Sequence, residues 1–350
     1  MAFENLLNEL ETRRAKALAM GGAEKLAKRR VAGLLNARER IDALFDAGTF
    51  MESGLFATSV HPQDAEKSPA DGKIAGFGQI RGREAAVVAN DFTVMGASSA
   101  AINMKKIGHM KRTAASKGIP LILLGESSGA RLPDNMGARG MGTLLAQDPQ
   151  QYLRCRESPW VSAALGLCYG SSTWYCVLAD FNVMRKGAII AVSSSLLASL
   201  AMNDNVEAEE LGGWRVHAEI TGFADQVVDT DEEAIDAVKK FLSYLPSSIY
   251  GTPPVAPYHE TVSRNDDALL KAIPKDRRKV YKMRAIVGTL VDRDSFFEMG
   301  AMFGRSIITG LARIDGRSVA LMAGDPYHYA GAWTADACAK IIRFVDLAQT

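Results

Sequence analysis

The sequence predicts an α/β fold of ββα units, internally duplicated, and two observations carry that prediction. Two apolar runs each break into a small-residue turn. Residues 121–124 lead into Ser127-Ser128-Gly129-Ala130, and residues 159–165 lead through Gly166 to Gly170-Ser171-Ser172. Each reads as a buried strand delivering a tight turn that bares backbone N–H groups. In addition, one segment recurs in order further along the chain, the signature of a repeated structural unit.

The N-terminal 46 residues are helical in pattern, rich in Ala, Leu, Arg and Glu and broken at Gly21-Gly22. The basic cluster from Lys25 to Arg30 reads as a solvated helix face or a subunit contact rather than a nucleic-acid patch. Residues 56–71 turn polar around Pro62 and Pro69 and read as a loop.

The repeat then organises the chain. Gly76, Gly82, Arg83 and Asp91 recur as Gly310, Gly316, Arg317 and Asp325 at a constant offset of 234. Upstream, Arg38, Leu44, Asp46, Phe50, Glu52 and Gly54 match Arg284, Leu290, Asp292, Phe296, Glu298 and Gly300 at an offset of 246. Downstream, Gly96-Ala97 and Lys105 match Gly331-Ala332 and Lys340 at 235. The expected organisation is therefore a complete unit over 1–255, a Pro-rich and charged linker over 256–282, and the start of a second unit over 283–350. The second unit lacks counterparts of both glycine turns, so a partial two-unit protein is expected.

Bulk properties exclude several classes. The 350 residues are 47% hydrophobic and 23% charged, with a net charge of +1, an ordinary globular composition that advertises neither nucleic acid nor a membrane surface. No apolar run reaches the ~18 residues of a spanning helix. The charged N-terminus has no signal-peptide core, which points to the cytoplasm, or to a mitochondrial matrix after loss of a transit peptide. Cys155, Cys168, Cys176 and Cys338 form no C-x-x-C pair, and no His/Asp/Glu cluster has metal-ligand spacing, so no metal is expected.

Two such turns can aim two N–H donors at one oxygen, the arrangement that stabilises charge developing only during reaction. At these residues a resemblance enters. Ser128-Gly129-Ala130-Arg131 followed by Leu167-Cys168-Tyr169-Gly170-Ser171-Ser172 resembles the carboxyltransferase (beta) subunit of biotin-dependent acyl-CoA carboxylases, of the propionyl-CoA carboxylase beta type, in the crotonase superfamily. Residues 72–78, 90–96, 210–217 and 221–225 are similar to further signatures of that family, in its order. The absence of an N-terminal four-cysteine module sets the chain apart from the bacterial acetyl-CoA carboxylase beta subunit.

The resemblance implies a crotonase-type spiral of ββα units. It implies Ala130 and Ser171 as the two oxyanion donors, with Gly170 allowing the second turn, and Ser128, Gly129, Arg131, Tyr169 and Trp174 around the substrate. It implies acyl-CoA as substrate, and carboxybiotin delivered by a partner carrier domain. Its partners would be a biotin carboxylase, a biotin carboxyl carrier subunit and further copies of itself, as dimers and a hexameric ring. Where related hydratases set a catalytic Glu, three residues past the second donor, this chain has Trp174. Hydratase chemistry needs that acid/base group, whereas carboxyl transfer leaves the α-proton to biotin. The β-carbon of Ser171, where the family commonly has a second Gly, is expected to narrow the acyl pocket.

Two readings from other classes compete. Gly125-Glu126-Ser127-Ser128-Gly129 matches the G-x-S-x-G elbow of serine hydrolases, with Ser127 as nucleophile and His217, His259 or His328 as partner. Against it, Leu132-Pro133-Asp134-Asn135 interrupts the helix that should follow. The other is a non-catalytic CoA-ester-binding subunit; a decarboxylase of the same family is a further variant. His217 is expected to pack or hydrogen-bond, and the glycines at 137, 140 and 142 are read as a mobile wall of the acyl-CoA channel.

Overall fold

The computed structural model describes residues 3–135, 156–258, 269–276 and 278–350. The glycines at 137, 140 and 142, Cys155, His259 and part of the expected linker lie outside the described residues. The main sheet has eight strands: β1 (Met51–Ser53), β2 (Lys73–Ile80), β3 (Arg83–Asn90), β4 (Leu121–Ser127), β5 (Trp160–Tyr169), β6 (Phe181–Arg185), β7 (Ile189–Ala191) and β8 (Gln226–Val228). Its order is β1-β2-β3-β4-β5-β6-β8, with β7 on the end of β5. The first three strands pair antiparallel and the rest parallel. β4 is buried at every position and β5 at all but one, as their unbroken apolar runs require when helices cover both faces.

Local signals fix the helices. Asn36 and Glu39 form a capping box on Ala37–Leu44, and Thr230 and Glu233 do the same on Asp231–Tyr244. Helix Ala101–Lys117 stops at Gly118, whose left-handed backbone lets its N–H return to Ala114 O.

The second sheet is β11-β10-β9, from β9 (Phe297–Met299), β10 (Ile307–Ile314) and β11 (Arg317–Gly324). It repeats β1-β2-β3 in geometry as well as in sequence. Arg38 pairs with Glu52 at 2.8 Å and Arg284 with Glu298 at 2.6 Å. Asp46 accepts the N–H groups of Arg81 and Gly82 at 3.1 and 2.8 Å, and Asp292 those of Asp315 and Gly316 at 2.9 and 2.7 Å. Lys106 Nζ donates to Gly54 O at 3.0 Å and Lys340 Nζ to Gly300 O at 2.8 Å.

This last pair corrects the sequence register. The counterpart of Lys340 is Lys106, not Lys105, so the offset stays at 234 through the final helix instead of slipping to 235. The backbone agrees, since positive φ runs over Met95-Gly96-Ala97 and over Tyr329-Ala330-Gly331.

The two units share one core. Phe181 stacks on Phe241 with centroids 4.7 Å apart, and Phe297 of the second unit lies 5.4 Å from Phe181. Arg343 grips Asp225 through two bonds of 2.6 and 2.8 Å across the same junction. The basic cluster at 25–30 is likewise partly internal, contrary to expectation. Arg30 is exposed, but Arg29 is nearly buried and bonds both carboxylate oxygens of Glu126 at 2.8 and 2.9 Å.

Candidate active site

Strands β4 and β5 pair as far as Ser127 and Cys168, with a register shift between Gly125 and Ser127, and then each gives way to its turn. The first turn is held by Ser99, which forms a parallel bridge with Ala130. Ser99 N–H donates to Gly129 O at 2.8 Å, and Ser99 O accepts from Arg131 N–H at 2.8 Å. A residue flanked this way in a parallel bridge points its own N–H to the opposite side. Among the described residues the Ala130 N–H has no acceptor, and Ala130 is exposed.

The second turn starts helix Ser171–Val177 from Gly170, at φ 61° and ψ −117°, a conformation open to glycine and strained for other residues. Gly170 O accepts from Thr173 N–H at 3.0 Å, while the N–H groups of Ser171 and Ser172 find no backbone acceptor among the described residues. A β-carbon placed on Gly170 would lie 3.6 Å from Gly129 Cα, so the turns stand against each other. Ala130 and Ser171 thus each present, from adjoining turns, an N–H with no backbone acceptor among the described residues. Such an arrangement can hold one anionic oxygen.

The remaining expected residues divide. Ser128 is exposed, with its N–H donating to Gly96 O at 2.9 Å. Tyr169 is buried beside Gly129, and burial pushes its hydroxyl pKa up. Trp174 is 39% exposed on the helix that Ser171 opens. Arg131 departs from expectation. Its guanidinium is buried in a 2.6 Å ion pair with Asp71 and bonds Ser98, so its side chain braces the turn from within.

The Ser171 hydroxyl is bonded to that of Ser99. Ser127 is fully buried, donating to Ala97 O at 3.1 Å and accepting the Gly129 N–H at 3.1 Å. A buried hydroxyl spent on Ala97 O and the Gly129 N–H, with no histidine bonded to it among the described residues, is not set up as a nucleophile, which argues against the hydrolase reading. His217 bonds Ile190 O at 2.8 Å, a packing role as expected.

Sequence reasoning missed the support beneath the turns. Lys73 is fully buried, donates to Ala97 O at 2.8 Å, and has its pKa pushed down to about 7 by burial. Asn103 bridges Asp71 O at 3.0 Å and Ser98 O at 2.8 Å. Behind β4, Glu126 accepts from Arg29 and Arg40, and Arg40 also bonds Asp231 at 2.8 Å. Burial opposes the charge on Glu126, but Arg40 and Arg29 prevail and hold its carboxyl below the ordinary range. Among the described residues no group of three or more His, Cys, Asp or Glu could hold a metal ion, and no helix is long and apolar enough to cross a membrane.

The fold is that of a crotonase-like enzyme that transfers carboxyl groups and acts on acyl-CoA. Residues 28–350 match the carboxyl transferase domain family, and the chain belongs to it. It is 32% identical to a propionyl-CoA carboxylase beta chain of Roseobacter denitrificans over 98% of this chain and 68% of that protein. A propionyl-CoA carboxylase carboxyltransferase subunit of Haloferax mediterranei is 32% identical, over 99% of this chain and 67% of its own. The crystal structure of a transcarboxylase 12S hexamer, with methylmalonyl-coenzyme A and methylmalonic acid bound, superimposes with a TM-score of 0.90 at 28% identity, covering 98% of this chain and 68% of that one.

Proposed function

We propose that residues 1–255 form the acyl-CoA side of a biotin-dependent carboxyl transfer, with Ala130 and Ser171 as the oxyanion donors. The observation that carries this reading is the pair of N–H groups, without a backbone acceptor among the described residues, on two abutting turns, Gly129 and Gly170 being close enough that a β-carbon at 170 would touch Cα of 129. As the α-proton leaves the acyl group, its bonding electrons move onto the thioester oxygen. Two preorganised N–H groups stabilise that oxygen by ~2.7–4 kcal/mol each. The resulting enolate carbon attacks the incoming carboxyl carbon. Carboxybiotin held by a partner would supply that carboxyl group as its N–C bond breaks, and the ureido nitrogen so freed would take the α-proton.

The chain's own residues position the acyl group and offer no acid or base at the place of Trp174. Residues 283–350, which repeat the strands and helix of 37–117, are the start of the unit on the biotin side. Residues 256–282 serve as the linker. A biotin carboxylase, a biotin carrier subunit and further copies of the chain in dimers are the proposed partners, in the cytoplasm. The hexamer of the transcarboxylase relative supports an oligomer.

Calorimetry of the full chain with propionyl-CoA tests the binding half of the reading, with free CoA as the comparison. Binding that depends on the acyl thioester is expected. No detectable binding at millimolar ligand overturns the assignment.

A further inference from the structure

We infer that Ser99 is a positioning residue that sets the distance between the two oxyanion donors; the inference deepens the function proposed above and rests on it for its kinetic test. Past the Ser127–Cys168 pair, no hydrogen bond among the described residues joins turn 128–131 directly to turn 169–172. Ser99 joins them. Its backbone holds the first turn from both sides of Ala130, through Gly129 O and Arg131 N–H, each at 2.8 Å. Its hydroxyl bonds the hydroxyl of Ser171. Ser99 is 1% exposed and Ser171 6%, so water does not compete for that bond.

The tie lies where the second turn is softest. Gly170, immediately before the donor at 171, is the residue with the widest conformational freedom in the segment, and its own N–H bond to Ala191 O is long, at 3.3 Å. Without the Ser99 hydroxyl, rotation about Gly170 would swing the Ser171 N–H relative to Ala130. Ser99 itself is held fast on both sides. Ser98 Oγ donates to Met95 O at 2.7 Å, Ser98 O accepts from Asn103, and Ala100 N–H donates to Asn103 Oδ1 at 2.9 Å. One side chain thereby couples a rigid bridge to a hinged donor.

Ser99→Ala keeps the backbone bridge and deletes the tie. Because donor spacing matters once charge has developed, kcat should fall about 10- to 100-fold, less than the ~10²–10³ lost with a whole donor, while KM for acyl-CoA holds within about twofold. Ser171→Ala breaks the same bond from the other side and should show a similar loss. The double variant should be no worse than either single, whereas independent roles would multiply. Amide hydrogen exchange supplies a readout independent of catalysis, and residues 169–174 should exchange faster by about threefold or more in either variant.

Multiplying losses, or exchange at 169–174 unchanged in the two variants, overturns the clamp. If the unaltered chain transfers no carboxyl group, the functional proposal falls, and the exchange result alone then decides the clamp in the same two directions. If Ser99→Ala fails to fold, Ser171→Ala carries the same exchange and kinetic tests.

Discussion

Replacing Ala130 by Pro removes one donor from the first turn. The Ala130 N–H has no acceptor among the described residues, so its loss breaks no bond among them. The two bonds that fix the turn use Gly129 O and Arg131 N–H, and both survive. The residue before the new proline is Gly129, at φ 104°, which tolerates restricted backbone better than any other type. Stability should therefore change by about 1 kcal/mol or less. Turnover should fall ~10²–10³-fold, the ~2.7–4 kcal/mol that one oxyanion donor contributes. The assay is carboxyl transfer to propionyl-CoA by the chain assembled with its biotin-carrying partners, beside thermal unfolding of the same preparation. A well-folded variant with full activity would show that Ala130 does not donate to the oxyanion.

Three further outcomes follow from the surroundings of the site. Ser127→Ala should leave turnover within about twofold and cost roughly 1 kcal/mol of stability, since it removes bonds to Ala97 and Gly129 but no nucleophile; loss of activity without loss of fold would restore the hydrolase reading. Glu126→Gln leaves the buried Arg29 and Arg40 without their shared countercharge and should cost about 3–5 kcal/mol in urea unfolding, with a cost under about 1 kcal/mol contradicting the buried network. Lys73 has a folded pKa of about 7 against an ordinary value of 10.5, so the unfolded chain binds the extra proton between those pH values and the folded state gains stability as pH rises through them, at up to ~1.4 kcal/mol per unit. Lys73→Met should lower that slope by one proton's worth, leaving the smaller contributions of Lys106 and Lys340, whose pKa values burial pushes to about 8; an unaltered slope in unfolding from pH 7 to 10 would contradict the assignment.

The two turns were legible because glycine and small residues after an apolar run are a local signal, and the function they point to follows from backbone N–H groups that any sequence carries. The duplication was legible too, yet its register slipped by one where local identity is ambiguous. Lys105 and Lys106 are adjacent, and only the carbonyls of Gly54 and Gly300 tell which of them is the counterpart of Lys340. Arg131 was misread for a related reason. It continues the small-residue motif in sequence, but its side chain turns to Asp71, a residue 60 positions earlier in an excursion that the second unit lacks.

What stayed hidden is bonding over long sequence separations, where residue type carries no directional information. Ser99 lies in an unremarked Ser-Ser-Ala run 72 residues before Ser171, and Glu126 meets an arginine 97 residues before it. Both contacts brace β4 and the two turns and give the sequence no spacing to recognise. Motifs of small residues thus locate the two turns, where we propose that an oxyanion is held. How rigidly it is held depends on polar side chains that only the folded chain brings together, and the Ser99–Ser171 bond is the point at which those two kinds of information meet.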